Sequence, residues 1–370
     1  MSNRATNPAP ASSNPHQDPG LARPRLLTGD TPTGRLHLGH WVGSVENRVQ
    51  MQRDYDCYFI IANVHALTTR AEETAAVRDD VIQITIDYLA AGIDPEKSTI
   101  FIQGEVPAIA ELTWYFAMLL PFNRVMRNPT LKTEIETKEL GDKYSFGFPM
   151  YAVGQIADIL AFRADTVPVG EDQVPHIEMT REVARRFNIL YCGVDPQADD
   201  AAHADKGVFP IPEAKVGRVA RLTGIDGRNK MSKSLGNAIF LSDDAKTVQK
   251  KCARIFTGRM AKDDPGVIAG NPLWEYHDAF NPDRDEVADM KQRYEAGTIG
   301  DGECKQRLAE VINTLLEPMR ARRAELEADP DRVLRVLRDG TRRANALAEQ
   351  TLARAKRAMG LDFFDRVLKL

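Results

Sequence analysis

Four short apolar runs punctuate the first half of the chain: RLLT at 25–28, CYFIIANV at 57–64, STIFIQ at 98–103 and DTVPVG at 165–170. The stretches between them repeat apolar residues at helical spacing. Alternation of β-branched runs with helical segments marks βαβ units, and so predicts an α/β fold with a parallel Rossmann-type sheet. RDDVIQITIDYLAAGI, 78–93, reads as a crossover helix ending at a glycine before Asp-Pro. DTVPVG runs straight into EDQVPHIEMTREVARRFN, a strand end feeding a helix. Open α/β sheets bind ligands at such junctions.

The pattern changes twice. Residues 1–23 are mostly Pro, Asn, Ser and Ala, with too little to bury to offset the entropy of ordering, and are expected to be a disordered tail. After about residue 240 the strand pattern stops, and 304–328 and 328–361 are amphipathic, with an Asp-Pro helix start at 329 and Gly360 as a stop. The expected organisation is therefore a catalytic-type sheet domain over 24–239 and a helical domain over 240–370. A length of 370 residues with 43% hydrophobic content supports two such cores.

Several function classes are disfavoured. The net charge of −4 advertises no polyanion partner, although a local basic face would be hidden in that sum. Cys57, Cys192, Cys252 and Cys304 are far apart, without CxxC spacing, so no metal site is expected. No apolar run approaches the roughly 18 residues of a membrane span, and no signal peptide is evident, so a reduced, cytoplasmic protein is expected.

Two segments carry chemistry. In PTGRLHLGH, 32–40, Pro32, Gly34 and Gly39 allow a tight turn and close approach of a ligand at a helix N-terminus. His37 and His40, three apart, share a helical face and can donate to phosphate oxygens. The same residues also suit a plain glycine turn with one core histidine and one solvated one. GIDGRNKMSKSLGN, 224–237, sets Lys230, Ser232, Lys233 and Ser234 between glycines. On a mobile loop, these groups suit neutralisation of a polyphosphate leaving group.

Together HLGH and KMSKS resemble the paired HIGH and KMSKS signatures of class I aminoacyl-tRNA synthetases, the second letter for letter. The likeness narrows to the tryptophanyl-tRNA synthetases through YAVGQIADILAF at 151–162 and GEDQVPHIEMTREVARRFN at 170–188. It runs from about residue 25 to the C-terminus. It implies activation of L-tryptophan by ATP with Mg2+ carried on the nucleotide, then transfer to tRNA(Trp) by a homodimer whose helical domain reads the anticodon.

The resemblance assigns His37, His40, Lys230 and Lys233 to the reaction. It places ATP against Thr31, Pro32, Thr33, Gly39 and His40, against Gly170, Glu171 and Asp172, and against Leu222, Lys230, Met231, Ser232, Lys233 and Ser234. For tryptophan it implies Asp158 as acceptor of the indole N–H, with Tyr151, Gln155, Gln173, Leu27, Gly29 and His65 around it. Spacing alone puts Tyr151, Gln155 and Asp158 on one helical face. Tyrosyl-tRNA synthetases share that arrangement but place a Tyr where this chain has Leu27, which suits an indole edge. They also have a Trp-Gly-Asn continuation after the segment matching GEDQ, absent here. Ala152, in place of a usual Pro, and Gln155, often Met, depart from the commoner tryptophan pattern.

Tyrosine activation and a catalytically silent nucleotide- or tRNA-binding relative are the alternatives. NPTLKTEIETK, 128–138, reads as a solvated helix in preference to a loop carrying Lys132 over ATP. Arg342, Arg343, Arg354, Lys356 and Arg357 are candidates for tRNA phosphates, or a solvated face.

Overall fold

A computed structural model describes residues 23–137, 139–141, 143–216, 222–261 and 264–364. The expected tail lies outside the described residues, Arg23 excepted. Among the described residues five parallel strands form one sheet: β1 (Arg25–Asp30), β2 (Asp56–Ile61), β3 (Ser98–Ile102), β4 (Thr166–Val169) and β5 (Glu213–Val216), in the order β3-β2-β1-β4-β5. This is the doubly wound arrangement, with its switch point between β1 and β4. Four strands coincide with the four apolar runs.

Side-chain alternation along the strands builds two cores. Leu26, Cys57, Phe59 and Ile61 face one set of helices, and Leu27, Tyr58 and Ile60 face the other. The predicted crossover helix spans Thr74–Ala91 and ends at Gly92, whose φ of +111° explains the glycine.

β1 pairs with β2 along its whole length but with β4 only at Leu26↔Thr166. Pro168 has no N–H to give a neighbour, and the Thr28 hydroxyl reaches its carbonyl at 3.4 Å. The two strands therefore separate towards their C-terminal ends and leave a crevice at the switch point.

Past residue 240 the regular elements among the described residues are helices joined by loops, and both sheet cores continue into them. The helix Asp301–Ala328 packs on Thr74–Ala91, where buried Arg323 pairs with buried Asp87 and Arg322 Nε donates to the Ala90 carbonyl at 2.7 Å. Asp87 also accepts from the Leu36 N–H at 2.6 Å, so it ties this helix to the segment that leads into HLGH. The last helix, Pro330–Ala358, starts at the expected Asp-Pro, with Asp329 accepting from the Arg332 N–H. It lies along β3 so closely that a Cβ on Gly340 would sit 1.9 Å from the Ile100 carbonyl oxygen.

Candidate active site

The crevice holds a cavity of about 610 Å3. β1 contributes Leu27, Gly29 and Asp30 to it, the Asn63–Arg70 helix His65, and the Gly147–Ala161 helix Tyr151, Gln155 and Asp158. Gly170 and Gln173 follow β4, at the start of the Val174–Cys192 helix. Gly29 is required for packing: a Cβ there would lie 1.9 Å from the Ile60 carbonyl oxygen.

Asp158 is buried at the cavity wall and accepts from Gln103 Nε2 at 2.8 and 2.9 Å. Burial raises its carboxyl to about 7, only partly opposed by the Gln103 hydrogen bond. His65 Nε2 stands 3.6 Å away, and burial lowers that imidazole to about 4. Gln103 Oε1 accepts from the N–H groups of Val64 and His65, so one amide fixes both the carboxylate and the start of the neighbouring helix. Asp30 is committed elsewhere. Burial opposes its charge, but the Arg48 guanidinium at 2.5 Å prevails and holds it at about 2, helped by the Tyr88 hydroxyl.

HLGH is tied through its backbone to the residues that directly follow the KMSKS segment. His37 and Phe240 form an antiparallel bridge, the Leu38 N–H donates to the Ile239 carbonyl at 2.9 Å, and the Leu241 N–H to that of Leu36 at 3.0 Å. Lys233 Nζ then reaches back to the Gly34 carbonyl at 3.0 Å and the Thr33 hydroxyl at 3.1 Å. Gly34 has φ of +99°, a turn conformation that favours glycine. Arg70 steadies the same turn by donating to the Pro32 carbonyl at 2.9 Å while paired with Asp80 at 2.7 Å.

The histidine rings lie against each other, tilted by 40°, with centroids 3.8 Å apart. Burial, then repulsion from His40, Lys233 and Lys230, lowers His37 to about 3. Burial likewise lowers His40 to about 4, against the attraction of Asp30. Both are neutral near pH 7. His40 Nδ1 accepts the His37 backbone N–H at 3.1 Å, which assigns its proton to Nε2 and leaves that atom as the donor. Burial also lowers the Lys233 ammonium.

The model of the class I tRNA synthetases, W and Y, matches residues 21–317. The tryptophan–tRNA ligase of Treponema pallidum is 49% identical over 91% of this chain and 97% of its own length. That of Streptococcus mutans is 45% identical over 93% of this chain and 100% of its own. The chain belongs to the tryptophan–tRNA ligase family of class I tRNA synthetases.

Among solved structures, the synthetase resembles tryptophanyl-tRNA synthetase of Campylobacter jejuni, complexed with ADP and tryptophan. The TM-score is 0.78 at 30% identity, over 91% of this chain and 100% of that one.

Every tryptophan-site residue expected from the sequence lines the cavity, as do Thr31, Thr33 and Gly170. Glu171 and Asp172 stand exposed beside it, and Gln173 Nε2 donates to Asp172 at 2.9 Å. Leu222 and Met231 are core side chains of the synthetase; the Met231 N–H donates to the Leu222 carbonyl at 3.0 Å. Ser232 and Ser234 hydrogen-bond each other at 3.0 Å.

Sequence reasoning missed four residues. Gln103 and Asp87 hold the site from behind. Asn237 knots the loop: its side chain accepts from the Ser232 N–H at 2.7 Å and donates to Asp226 at 3.1 Å and to the Lys230 carbonyl at 3.3 Å. The expected solvated helix is real, spanning Pro129–Thr137, yet it carries Glu134 into the cavity wall. Of the basic candidates, Arg343 is spent on Thr99, Pro95 and Ser98, and Lys356 pairs with Glu111 at 3.0 Å.

Proposed function

We infer that this synthetase is a tryptophan–tRNA ligase, joining L-tryptophan to tRNA(Trp) with ATP. The observation that carries the reading is that Thr33 both lines the cavity and receives Lys233, so an amino acid and a triphosphate would meet at one turn. Tryptophan's carboxylate oxygen attacks the α-phosphorus, the bond to pyrophosphate breaks, and the adenylate forms. The terminal ribose hydroxyl of tRNA then attacks the acyl carbon, AMP leaves, and the hydroxyl proton is released.

The reactants supply nucleophile and leaving groups, so the protein's share is position and charge. The His40 Nε2–H, a His37 N–H and the ammonium groups of Lys230 and Lys233 serve the phosphates as charge develops. Asp158 accepts the indole N–H, a contact that discriminates strongly because a ligand lacking the donor leaves a buried carboxylate unmatched. Leu27 offers that side of the cavity no hydroxyl, which favours indole over phenol. Mg2+ arrives on ATP as part of the substrate; among the described residues no group of three or more His, Cys, Asp or Glu could hold a metal.

The helices after residue 240 are the part proposed to read the anticodon, with Arg342, Arg354 and Arg357 as its outward cations. Homodimerisation is supported by exposed Trp114, Met118, Phe122, Phe146 and Leu190. A cytoplasmic location completes the proposal; among the described residues no helix is long and apolar enough to cross a membrane. Pyrophosphate exchange with tryptophan and tyrosine side by side tests the reading. Exchange with tryptophan alone is expected, and exchange with tyrosine alone overturns it.

A further inference from the structure

Among the described residues three carboxylates line the cavity, Asp30, Glu134 and Asp158. An amino acid brings an ammonium group that must find an acceptor there, because a buried charge without a partner is costly. Asp30 is locked by Arg48 and Tyr88. Asp158 has both oxygens on Gln103, two helical turns from Tyr151, or about 10 Å along the axis. That separation leaves the side chain of an aromatic amino acid at the Asp158 end and its polar atoms at the Tyr151 end.

Glu134 stands at the Tyr151 end. The Pro129–Thr137 helix buries Leu131 and rests Ile135 on the core, and this fixes its rotation. Thr130 and Glu134, one turn apart, share the adjacent face. The Thr130 hydroxyl donates to the Asp172 carbonyl at 2.5 Å, pinning the helix start to the segment that carries Gln173. The Tyr151 hydroxyl is pushed upward by burial and then by the charge and hydrogen bonding of Glu134. Tyr151, Gln173 and Glu134 thus converge on one end of the cavity.

We propose that Glu134 receives the α-ammonium group of the amino-acid substrate. The proposal deepens the tryptophan reading and rests on it. An ammonium–carboxylate hydrogen bond in a half-buried site orients the amino acid so that its carboxylate faces the turn at Thr33. It also excludes desamino acids, which share the indole and the carboxylate.

The test compares binding of tryptophan and indole-3-propionic acid to the full-length protein and to Glu134→Gln, by calorimetry and by competition in pyrophosphate exchange. The variant is expected to weaken tryptophan roughly 10- to 100-fold, the range for a charge-assisted hydrogen bond, and to change indole-3-propionic acid less than about threefold. Glu134→Asp should recover part of the preference. Equal weakening of both ligands, as a structural role through Tyr151 would give, overturns the proposal, as does unchanged tryptophan binding. If the unsubstituted protein exchanges with tyrosine in place of tryptophan, the functional reading fails. Tyrosine against its own desamino analogue then tests Glu134 in the same way.

Discussion

Lys233 Nζ lies 3.0 Å from the carbonyl oxygen of Gly34, a residue 199 positions earlier, and so spans the gap between the loop and the turn. Its other partner there, the Thr33 hydroxyl, is neutral, and burial lowers its ammonium. A triphosphate entering between loop and turn offers the lysine full negative charge in exchange for these weaker acceptors. Lys233→Ala is expected to slow adenylate formation by roughly two to three orders of magnitude, as for loss of one preorganised donor, with tryptophan affinity little changed. Single-turnover rates at saturating substrates provide the measurement, and an unchanged rate would remove Lys233 from the chemistry.

Asp158 gives the amino-acid site a pH dependence. Its carboxyl, raised to about 7 by burial, is largely protonated below that value in the free protein. In the proposed contact the indole N–H favours the ionised form, so binding would expel a proton, with affinity full above about 7 and falling as pH drops. Tryptophan KM should rise towards tenfold per unit between about pH 7 and 5.5, while ATP KM stays flat. His37, His40 and His65 titrate lower, at about 3, 4 and 4, outside most of this window. Asp158→Asn should bind weakly without the pH slope; a flat profile in the unsubstituted protein would count against the assignment.

Gly340 yields a prediction of opposite sign to helix propensity. Replacing a mid-helix glycine with alanine ordinarily stabilises by about 1 kcal/mol. Here the added methyl would stand 1.9 Å from the Ile100 carbonyl oxygen, so Gly340→Ala should destabilise by about 1–3 kcal/mol. Denaturant unfolding measures it, and a gain in stability would mean that the last helix does not lie against β3.

Burial explains which elements were legible. β1 to β4 had to be apolar on both faces because helices cover both, and their runs stand out. β5, with the sequence EAKV, is an edge strand with Glu213 and Lys215 facing solvent, so its pairing leaves no hydrophobic trace. In the candidate site, HLGH and KMSKS each gather their polar groups within a few neighbouring residues and can be read as words. Gln103 and Asp87 act through partners far away in the chain, whereas Asn237 acts within its own loop, where a lone amide carries no pattern. Only the position of Gln103, at the C-terminal end of a parallel strand, hinted at a role. Glu134 was hidden because its helix is polar on most sides; the Leu131 and Ile135 spacing was the one signal that it docks.

The His37–Phe240 bridge has a kinetic consequence. Closing a long loop costs entropy that grows only slowly with length, and here the cost falls within folding of the sheet as a whole. Thereafter Lys230 and Lys233, the proposed phosphate contacts, are held at an effective concentration on the order of millimolar or higher beside the turn. Any opening of the loop tip to admit a nucleotide would be followed by a first-order return, independent of how dilute the protein is.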